Sequence, residues 1–164
     1  MTEKSLSEAF AGESMAHMKY TIFSEVAEKE GLPNVARLFR AIAYAERVHA
    51  INHARNLGYI NKTKDNLQTG LEGENFEINE MYPAYNAIAT LQGEDKAKKG
   101  IYYALEAEKI HSELYKKTKE TVEKGKDINI ENIYICPICG YTHVGTPPDK
   151  CPVCSESKEN FRKF

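Results

Sequence analysis

The feature that most constrains this chain is a Glu-x-x-His motif that occurs twice, from Glu46 to His49 and from Glu108 to His111. In an α-helix, residues three apart lie on the same face, so each motif presents a carboxylate and an imidazole together. A metal-binding helix bundle places two such motifs opposite each other and adds a glutamate from each of two further helices. The sequence offers Glu13 and one later glutamate, Glu74, for those positions.

Apolar residues recur every three or four positions along four long segments, which predicts four helices. We predict helices at about 2–30, 34–57, 66–91 and 95–124, with stop signals at Gly31, Gly58 and Gly93. The polar segment 58–66 is too long for a tight turn and suits a connection that carries the chain along the bundle. Pro83 is expected to bend the third helix, because it lacks a backbone donor.

The two helix pairs resemble an internal duplication. Three pairs of residues recur at one constant spacing: Tyr20 and Tyr82, Glu46 and Glu108, His49 and His111. Glu13 and Glu74 are one residue closer together, so one extra residue lies between Glu74 and Tyr82. A single inserted residue is commonly absorbed as a π-bulge, often at a functional site. The same segment contains Glu77, which has no acidic counterpart in the first pair, so the two halves of the site should be unequal.

Four glutamates lie on helix stripes that otherwise consist of apolar and aromatic residues: Glu13, Glu46, Glu74 and Glu108. Burying an ionised carboxylate without a partner costs several kcal/mol, and no comparable set of Lys or Arg shares these faces. Bound divalent cations would supply the missing positive charge. Carboxylate and imidazole ligands suit iron or manganese, with zinc as an alternative, and two metals that share Glu46 and Glu108 would explain the paired motif.

Five further residues near these stripes each have two interpretations. Glu77 is either an extra ligand of one metal or a solvated carboxylate. Tyr20 and Tyr82 either hydrogen-bond the ligand carboxylates or pack as ordinary aromatic residues. We interpret His17 and His53 as surface or core histidines, because both Glu-x-x-His motifs are complete without them.

All four cysteines lie near the C-terminus as two Cys-x-x-Cys pairs: Cys136, Cys139, Cys151 and Cys154. Alternating isoleucines before them indicate a linker that leads into a strand. Some thirty residues cannot build much of a core, so a metal is expected to hold this second domain together. The spacing fits structural zinc, our first choice from spacing alone, or a single redox-active iron.

Composition excludes several other classes of protein. The formal net charge of −2 argues against a general nucleic-acid binder. No apolar run approaches the length that spans a bilayer, so no membrane association is expected. The first ten residues are polar and lack a hydrophobic signal segment, which predicts a cytoplasmic location.

At these residues the sequence resembles the rubrerythrin family over nearly its whole length. The resemblance is carried by Ala11-Gly12-Glu13-Ser14, Ala45-Glu46-Arg47-Val48-His49, Gly73-Glu74-Asn75-Phe76-Glu77, Glu80-Met81-Tyr82-Pro83, Ala107-Glu108-Lys109-Ile110-His111 and the two Cys-Pro-x-Cys pairs. It implies a mainly α fold, a ferritin-like four-helix bundle followed by a small rubredoxin-like four-cysteine domain with short strands. The expected boundaries are 1–125 for the bundle, 126–133 for a linker and 134–164 for the metal domain.

The resemblance also implies a function, that of a non-haem di-iron peroxidase that reduces hydrogen peroxide to water in protection against oxidative stress. Two iron ions would occupy the bundle and one iron the four-cysteine site, where zinc is possible after overexpression. Electrons would enter through the cysteine-bound iron from a donor protein, either a rubredoxin or an NAD(P)H-dependent reductase. The chain has no sequence like a nicotinamide-binding fingerprint, so NAD(P)H would act through that partner.

Each metal ligand receives a role from the same resemblance. Five would be permanent ligands: Glu46 and Glu108 as bridges, Glu13 on the first iron, Glu74 and His111 on the second. Glu77 and His49 would alternate on the first iron, Glu77 in the oxidised state and His49 in the reduced state. A diferric pair carries two more positive charges than a diferrous pair, so an anionic ligand suits the oxidised state.

A head-to-tail homodimer is also expected. The fourth helix runs about 25 Å from Glu108 to Gly125, so the four-cysteine domain is attached far from its own di-iron site. A linker that folds back is the alternative, since ten extended residues reach about 33 Å. The resemblance suggests that each cysteine-bound iron serves the bundle of the other chain. Three alternatives remain from the sequence: an iron-storage protein, a structural zinc-ribbon protein, and an oxidase that uses dioxygen.

Overall fold

Five α-helices followed by three short strands make up the fold, and the computed structural model describes residues 2–164. The helices are α1 (Thr2–Lys29), α2 (Pro33–Asn56), α3 (Thr63–Phe76), α4 (Tyr82–Gln92) and α5 (Asp95–Glu123). The strands are β1 (Ile133–Ile135), β2 (Thr142–Val144) and β3 (Arg162–Lys163). None of the helices in this part of the chain combines the length and the apolar character needed to cross a membrane.

The chain divides into two compact units, and the first of them ends at Asn61. It consists of α1 and α2, which the residues between Lys29 and Pro33 join. Small residues line the seam between the two helices: Ser24, Ala27, Ala36, Ala43, Ala50 and Ala54 are all buried. Small side chains allow the two helix axes to approach closely, which leaves the larger apolar residues outside the seam.

The second unit, from Lys62 to Phe164, contains α3, α4, α5 and the four-cysteine module. Gly70 of α3 faces the ring of Tyr115 of α5 so closely that an added Cβ would lie 3.1 Å from it. Buried Ser112 donates a hydrogen bond of 2.8 Å to the side-chain oxygen of Asn75. These contacts fix α3 against α5 beside the second Glu-x-x-His motif.

The predicted π-bulge is confirmed. The residues Glu77–Met81 form a π-helical segment that joins α3 to α4 without a break. Pro83 stands in the first turn of α4, directly after the π turn. The predicted third helix is therefore three segments, and its wide turn begins at Glu77, the acidic residue without a counterpart in the first unit.

The connection between α2 and α3 is shorter than predicted. The expected segment 58–66 is reduced to Leu57 to Lys62, because α3 already begins at Thr63. Part of this connection is folded back on the end of α2, since the amide of Tyr59 donates to the carbonyl of Ala54 at 3.0 Å. The other predicted helix ends agree with the structure to within one residue.

The four-cysteine module, which begins at Ile133, is organised around a three-stranded sheet of order β2-β1-β3. Both pairings are antiparallel, with Tyr134 opposite His143 and opposite Lys163. Its buried core contains three of the cysteines together with Phe161. The predicted small domain with short strands is thus present.

Candidate metal centres

The first unit brings three predicted ligands together. Ligand atoms of Glu13, Glu46 and His49 all lie within 4.8 Å of one another. His49 Nδ1 is 3.0 Å from Glu46 Oε2 and 3.8 Å from Glu13 Oε1. The positions follow from local geometry, because Glu46 and His49 share one face of α2 and Glu13 lies on the neighbouring helix.

The second unit repeats this arrangement. Glu74, Glu108 and His111 form a cluster with the same 4.8 Å limit between ligand atoms. His111 Nδ1 is 2.6 Å from Glu108 Oε2. The side chains of Glu46 and Glu108 are each 17% exposed, so the two proposed bridging positions have matching environments. The internal duplication seen in the sequence therefore extends to the geometry of the ligands.

The second cluster crowds several acidic groups together. Burial, a hydrogen bond with Glu108 and the charges of Glu108 and Glu77 raise the pKa of Glu74 to about 8. In the first cluster, the pKa of Glu13 is raised, chiefly by its hydrogen bond with Glu46. Within residues 2–164, the ion pairs of these carboxylates are with His49 and His111, and none involves Lys or Arg. A bound metal would relieve this crowding of acidic groups.

Glu77 and Tyr82 border the second cluster at the two ends of the π turn. Burial first, and then the charge of Glu108, raise the pKa of Glu77, while His111 acts in the opposite direction. The pKa of Tyr82 is raised by burial and by Glu77, Glu108 and Glu74. Glu77 is not a member of either close cluster of ligand atoms in the described chain.

Tyr20, His17 and His53 lie outside the two close ligand clusters of the described chain. The ring of Tyr20 lies 6.2 Å from Phe23 and 6.2 Å from Phe39, which is aromatic packing. His17 Nδ1 lies 2.8 Å from the carbonyl oxygen of Ala43 and ties α1 to α2. The charge of His53 acts to lower the pKa of Glu13. The buried Nδ1 of His53 has no hydrogen-bond partner among residues 2–164.

The four cysteines converge as predicted. The Sγ atoms of Cys136 and Cys154 are 3.5 Å apart, and those of Cys139 and Cys151 are 3.4 Å apart. A disulfide would need about 2.05 Å, whereas a tetrahedral site with metal–sulfur bonds of 2.3 Å separates its sulfurs by about 3.8 Å. The chemistry and spacing of these four thiols therefore fit one tetrahedral metal ion.

Backbone amides point at the sulfurs of this site. Burial would raise the pKa of Cys151, but amide hydrogen bonds from Cys154 and Val153, together with hydrogen bonds to the Cys139 and Cys154 side chains, outweigh it and lower the pKa overall. Such N–H···S bonds stabilise thiolates, the form in which cysteine binds metal. By contrast, burial raises the pKa of Cys139 and of Cys154.

The module touches the second cluster within one chain. His111 Nε2 lies 2.7 Å from Oγ1 of Thr142, which in turn donates to the carbonyl of Gly140 at 3.2 Å. Tyr103 of α5 packs against the cysteine core. The expected head-to-tail homodimer, in which each module serves the other chain's bundle, stays a prediction. The linker after α5 folds the module back onto its own helix.

Sequence reasoning missed Thr142 and Tyr103 as members of the site. Thr142 is 4% exposed and stands on β2, three residues after Cys139. No local pattern marks either residue, because their importance depends on how the module packs against α5. In the sequence, Thr142 is distinguished only as a polar residue that follows Tyr141, shortly after the first Cys-x-x-Cys pair.

Comparisons with known proteins agree with both parts of this architecture. The family model described as rubrerythrin matches residues 4–119, and the model of the rubrerythrin rubredoxin-like domain matches residues 134–162. Rubrerythrin-2 of Clostridium acetobutylicum is 43% identical over an alignment that covers 100% of this chain and 97% of that protein. Nigerythrin of Nitratidesulfovibrio vulgaris is 35% identical, with 99% of this chain and 86% of that protein covered.

A solved structure, the fully reduced, all-ferrous state of nigerythrin, has a TM-score of 0.59 and 32% sequence identity to this chain. The alignment covers 100% of this chain and 87% of that one. Together with the paired Glu-x-x-His clusters, these likenesses define a ferritin-like helical protein with a rubredoxin-like four-cysteine domain. The chain belongs to the rubrerythrin family.

Proposed function

We propose that this protein is a non-haem di-iron peroxidase that reduces hydrogen peroxide to water and receives its electrons through a cysteine-bound iron. Membership of the rubrerythrin family supports the class of reaction. The observation that carries the proposal is the pair of matching Glu-Glu-His clusters, one of which touches the four-cysteine module. Each turnover takes two electrons and two protons and yields two water molecules.

The ligand side chains suit two irons whose total charge changes. Two bound irons would supply the electron pair that breaks the O–O bond, and they become more positive as they do so. Glu46 and Glu108 would be shared between them, with Glu13 on one side and Glu74 with His111 on the other. Glu77 is a poor position for a lone negative charge, because burial and Glu108 oppose its ionisation. It would therefore bind best when the irons are oxidised, and neutral His49 would bind when they are reduced.

The contact between His111 and Thr142 supports electron entry from the module of the same chain. If His111 binds metal through Nδ1, its Nε2 carries the proton and donates to Thr142. Thr142 then donates to the carbonyl of Gly140, the residue that follows Cys139. A short chain of hydrogen bonds thus joins the ligand to the neighbour of a metal-binding cysteine. The donor that re-reduces the module would be a rubredoxin or an NAD(P)H-dependent reductase.

Replacing Thr142 with valine should slow the re-reduction of the di-iron centre by about 10–100-fold, the usual effect of losing a partner that orients a metal ligand. The size and shape of the side chain are preserved, while His111 Nε2 loses its acceptor. The measurement is the rate at which the ferric colour of the module appears after peroxide is mixed with fully reduced protein.

Thr142→Ser is the matched control, because it keeps the hydroxyl group and should retain a rate near that of the wild type. The visible spectrum of the ferric module should be the same in all three proteins, which excludes damage to the cysteine site. A valine variant with the wild-type rate would show that this contact plays no part in electron entry.

The function itself is tested by reducing the protein without oxygen, adding one equivalent of hydrogen peroxide and following the colour of cysteine-bound ferric iron. We expect the colour to return rapidly, and faster than with dioxygen, because both sites exchange electrons and peroxide is the preferred oxidant. Metal analysis before the reaction establishes that both sites hold iron. Absence of the colour in protein reconstituted with iron would overturn the electron-entry role and favour iron storage.

A further inference from the structure

One buried polar atom of the first unit has no hydrogen-bond partner. Among residues 2–164, Nδ1 of His53 on α2 takes part in no hydrogen bond, although it is shielded from solvent. An unpaired polar atom in a buried position is unfavourable, and native structures nearly always give such an atom a partner. The position therefore calls for a partner that is acquired in the working protein.

His53 lies one helical turn beyond the predicted ligand His49. Residues four apart share a face of an α-helix, and side chains lean toward the N-terminal end of the helix, so His53 leans toward the turn that carries His49. Its ring nitrogens are not part of the close cluster of ligand atoms that Glu13, Glu46 and His49 form in the described chain. This placement suits a residue beside the metal site rather than a ligand within it.

The second unit has a tyrosine at the position equivalent to His53. Tyr115 follows the second Glu-x-x-His motif by four residues, just as His53 follows the first. The ring of Tyr115 lies against α3 at Gly70, where an added Cβ would be 3.1 Å from it. Gly70 stands one turn before the ligand candidate Glu74. A side chain at this position thus faces the neighbouring helix one turn from its glutamate.

The duplication places His53 near Glu13 by the same relation. The residue of α1 that corresponds to Gly70 is Ala9, four residues before Glu13. His53 is therefore expected to face α1 one turn from Glu13. The first half of the duplication has an imidazole nitrogen at this position, whereas the second half has the packed ring of Tyr115. This is a second asymmetry between the two halves.

Electrostatics single out Glu13 as the acidic neighbour of His53. The pKa of Glu13 is raised chiefly by its hydrogen bond with Glu46, and the charges of His49 and His53 act in the opposite direction. The pKa of Glu46, by contrast, is lowered by hydrogen bonds with Glu13 and His49. His53 is thus close enough to influence Glu13, yet its Nδ1 makes no hydrogen bond with it.

A carboxylate that binds a metal needs hydrogen-bond donors around it. In the ionised form both oxygens of Glu13 accept hydrogen bonds and neither donates one. A neutral imidazole that carries its proton on Nδ1 is a suitable donor. Residues that hydrogen-bond metal ligands fix the orientation of those ligands, and losing one lowers metal affinity or activity by about 10–100-fold.

We propose that His53 is a positioning residue, which donates a hydrogen bond from Nδ1 to the carboxylate of Glu13 when Glu13 holds the first metal. The proposal rests on the di-iron function proposed above, in which Glu13 stays on the first iron while His49 and Glu77 exchange. A carboxylate that His53 holds in place keeps its orientation during that exchange. On the second iron, where no ligand exchanges, the equivalent position holds the ring of Tyr115.

Binding of ferrous iron in the absence of oxygen tests this role separately from turnover. Equilibrium dialysis of the reduced full-length protein, with iron kept in the four-cysteine site, should give two binding constants for the helical centre. His53→Leu should weaken one of them by about 10–100-fold and leave the other unchanged. His53→Asn should restore binding to within a few-fold of the wild type, because its amide places an N–H near the position of Nδ1.

Tyr115→Phe is the matched control at the equivalent position, and it should leave both constants unchanged. Helix content and the ferric colour of the module are compared in all variants to establish that they fold. Wild-type constants in His53→Leu, equal weakening of both sites, or an asparagine variant as weak as the leucine variant would each overturn the positioning role. A wild-type protein that binds no pair of ferrous ions would overturn the di-iron function as well, so the two failures are distinguishable.

The tautomer of His53 gives a second and more direct test. In protein loaded with zinc, which is diamagnetic, nitrogen-15 spectra of labelled histidines show which ring nitrogen carries the proton. The signal of His53 is identified by its loss in His53→Asn. We expect its proton on Nδ1 and protected from exchange with solvent, because it is bonded to Glu13. A proton on Nε2 would overturn the proposal even if the iron centre forms and reacts with peroxide.

Discussion

Replacing Glu108 with glutamine is expected to remove both irons from the helical centre and to lower peroxide turnover by more than 100-fold. Glu108 is the carboxylate on which the second cluster depends, since it lies 2.6 Å from His111 Nδ1 and raises the pKa values of Glu74 and Glu77. Glutamine has nearly the same size but no charge, so the site would lose the anionic ligand that we propose the two irons share. Losing a residue that only orients a metal ligand already lowers metal affinity or activity by about 10–100-fold. Losing a shared ligand should lower them further.

Iron analysis and the rate of peroxide consumption check this expectation. Glu113→Gln is the matched control, because Glu113 is an exposed carboxylate on the same helix, and it should leave both quantities unchanged. The ferric colour of the four-cysteine module should persist in the Glu108 variant, which separates loss of the centre from misfolding. A Glu108→Gln protein with full iron content and normal turnover would exclude the bridging role.

The glutamate–histidine pair within each ligand cluster was predictable because its geometry is local. Helical spacing alone places Glu46 beside His49 and Glu108 beside His111, and both clusters form as expected. The π turn at Glu77 followed from a single comparison, the one-residue difference in spacing between the two halves of the duplication. Short, regular periodicities determine such features before any tertiary contact is made.

Features that depend on tertiary packing were not predictable. The stripe of the third helix indicated a start near Asn66, but the helix begins at Thr63, where Asp65 in the first turn interacts favourably with the helix dipole. The contact of Thr142 with His111 likewise depends on how the linker folds back, which no pattern near Cys139 reveals.

Replacing Glu77 with alanine is expected to leave both irons in the reduced protein and to impair the oxidised state. Glu77 begins the π turn and lies outside the close clusters of ligand atoms found in residues 2–164. In the proposed function the reduced centre would therefore have its full ligand set without Glu77. Burial raises its pKa, and the charge of Glu108 adds to this effect, so its carboxylate is best stabilised when nearby positive charge increases. Without this carboxylate, the two additional charges of the diferric state lack their anionic partner.

The measurements are iron content in the reduced state, the rate of reaction with one equivalent of peroxide, and the stability of the diferric centre over time. We expect normal iron content in the reduced state, a reaction with peroxide slower by at least 10-fold, and faster loss of iron after oxidation. This is the usual effect of losing a residue that tunes a metal site. Glu80→Ala is the control, since Glu80 is an exposed carboxylate in the same π turn and should behave as the wild type. If the reduced Glu77→Ala protein loses an iron, Glu77 is a permanent ligand. If the variant turns over peroxide normally, Glu77 has no role at the centre. Only a ligand that is exchanged on oxidation would impair the oxidised state and leave the reduced state intact.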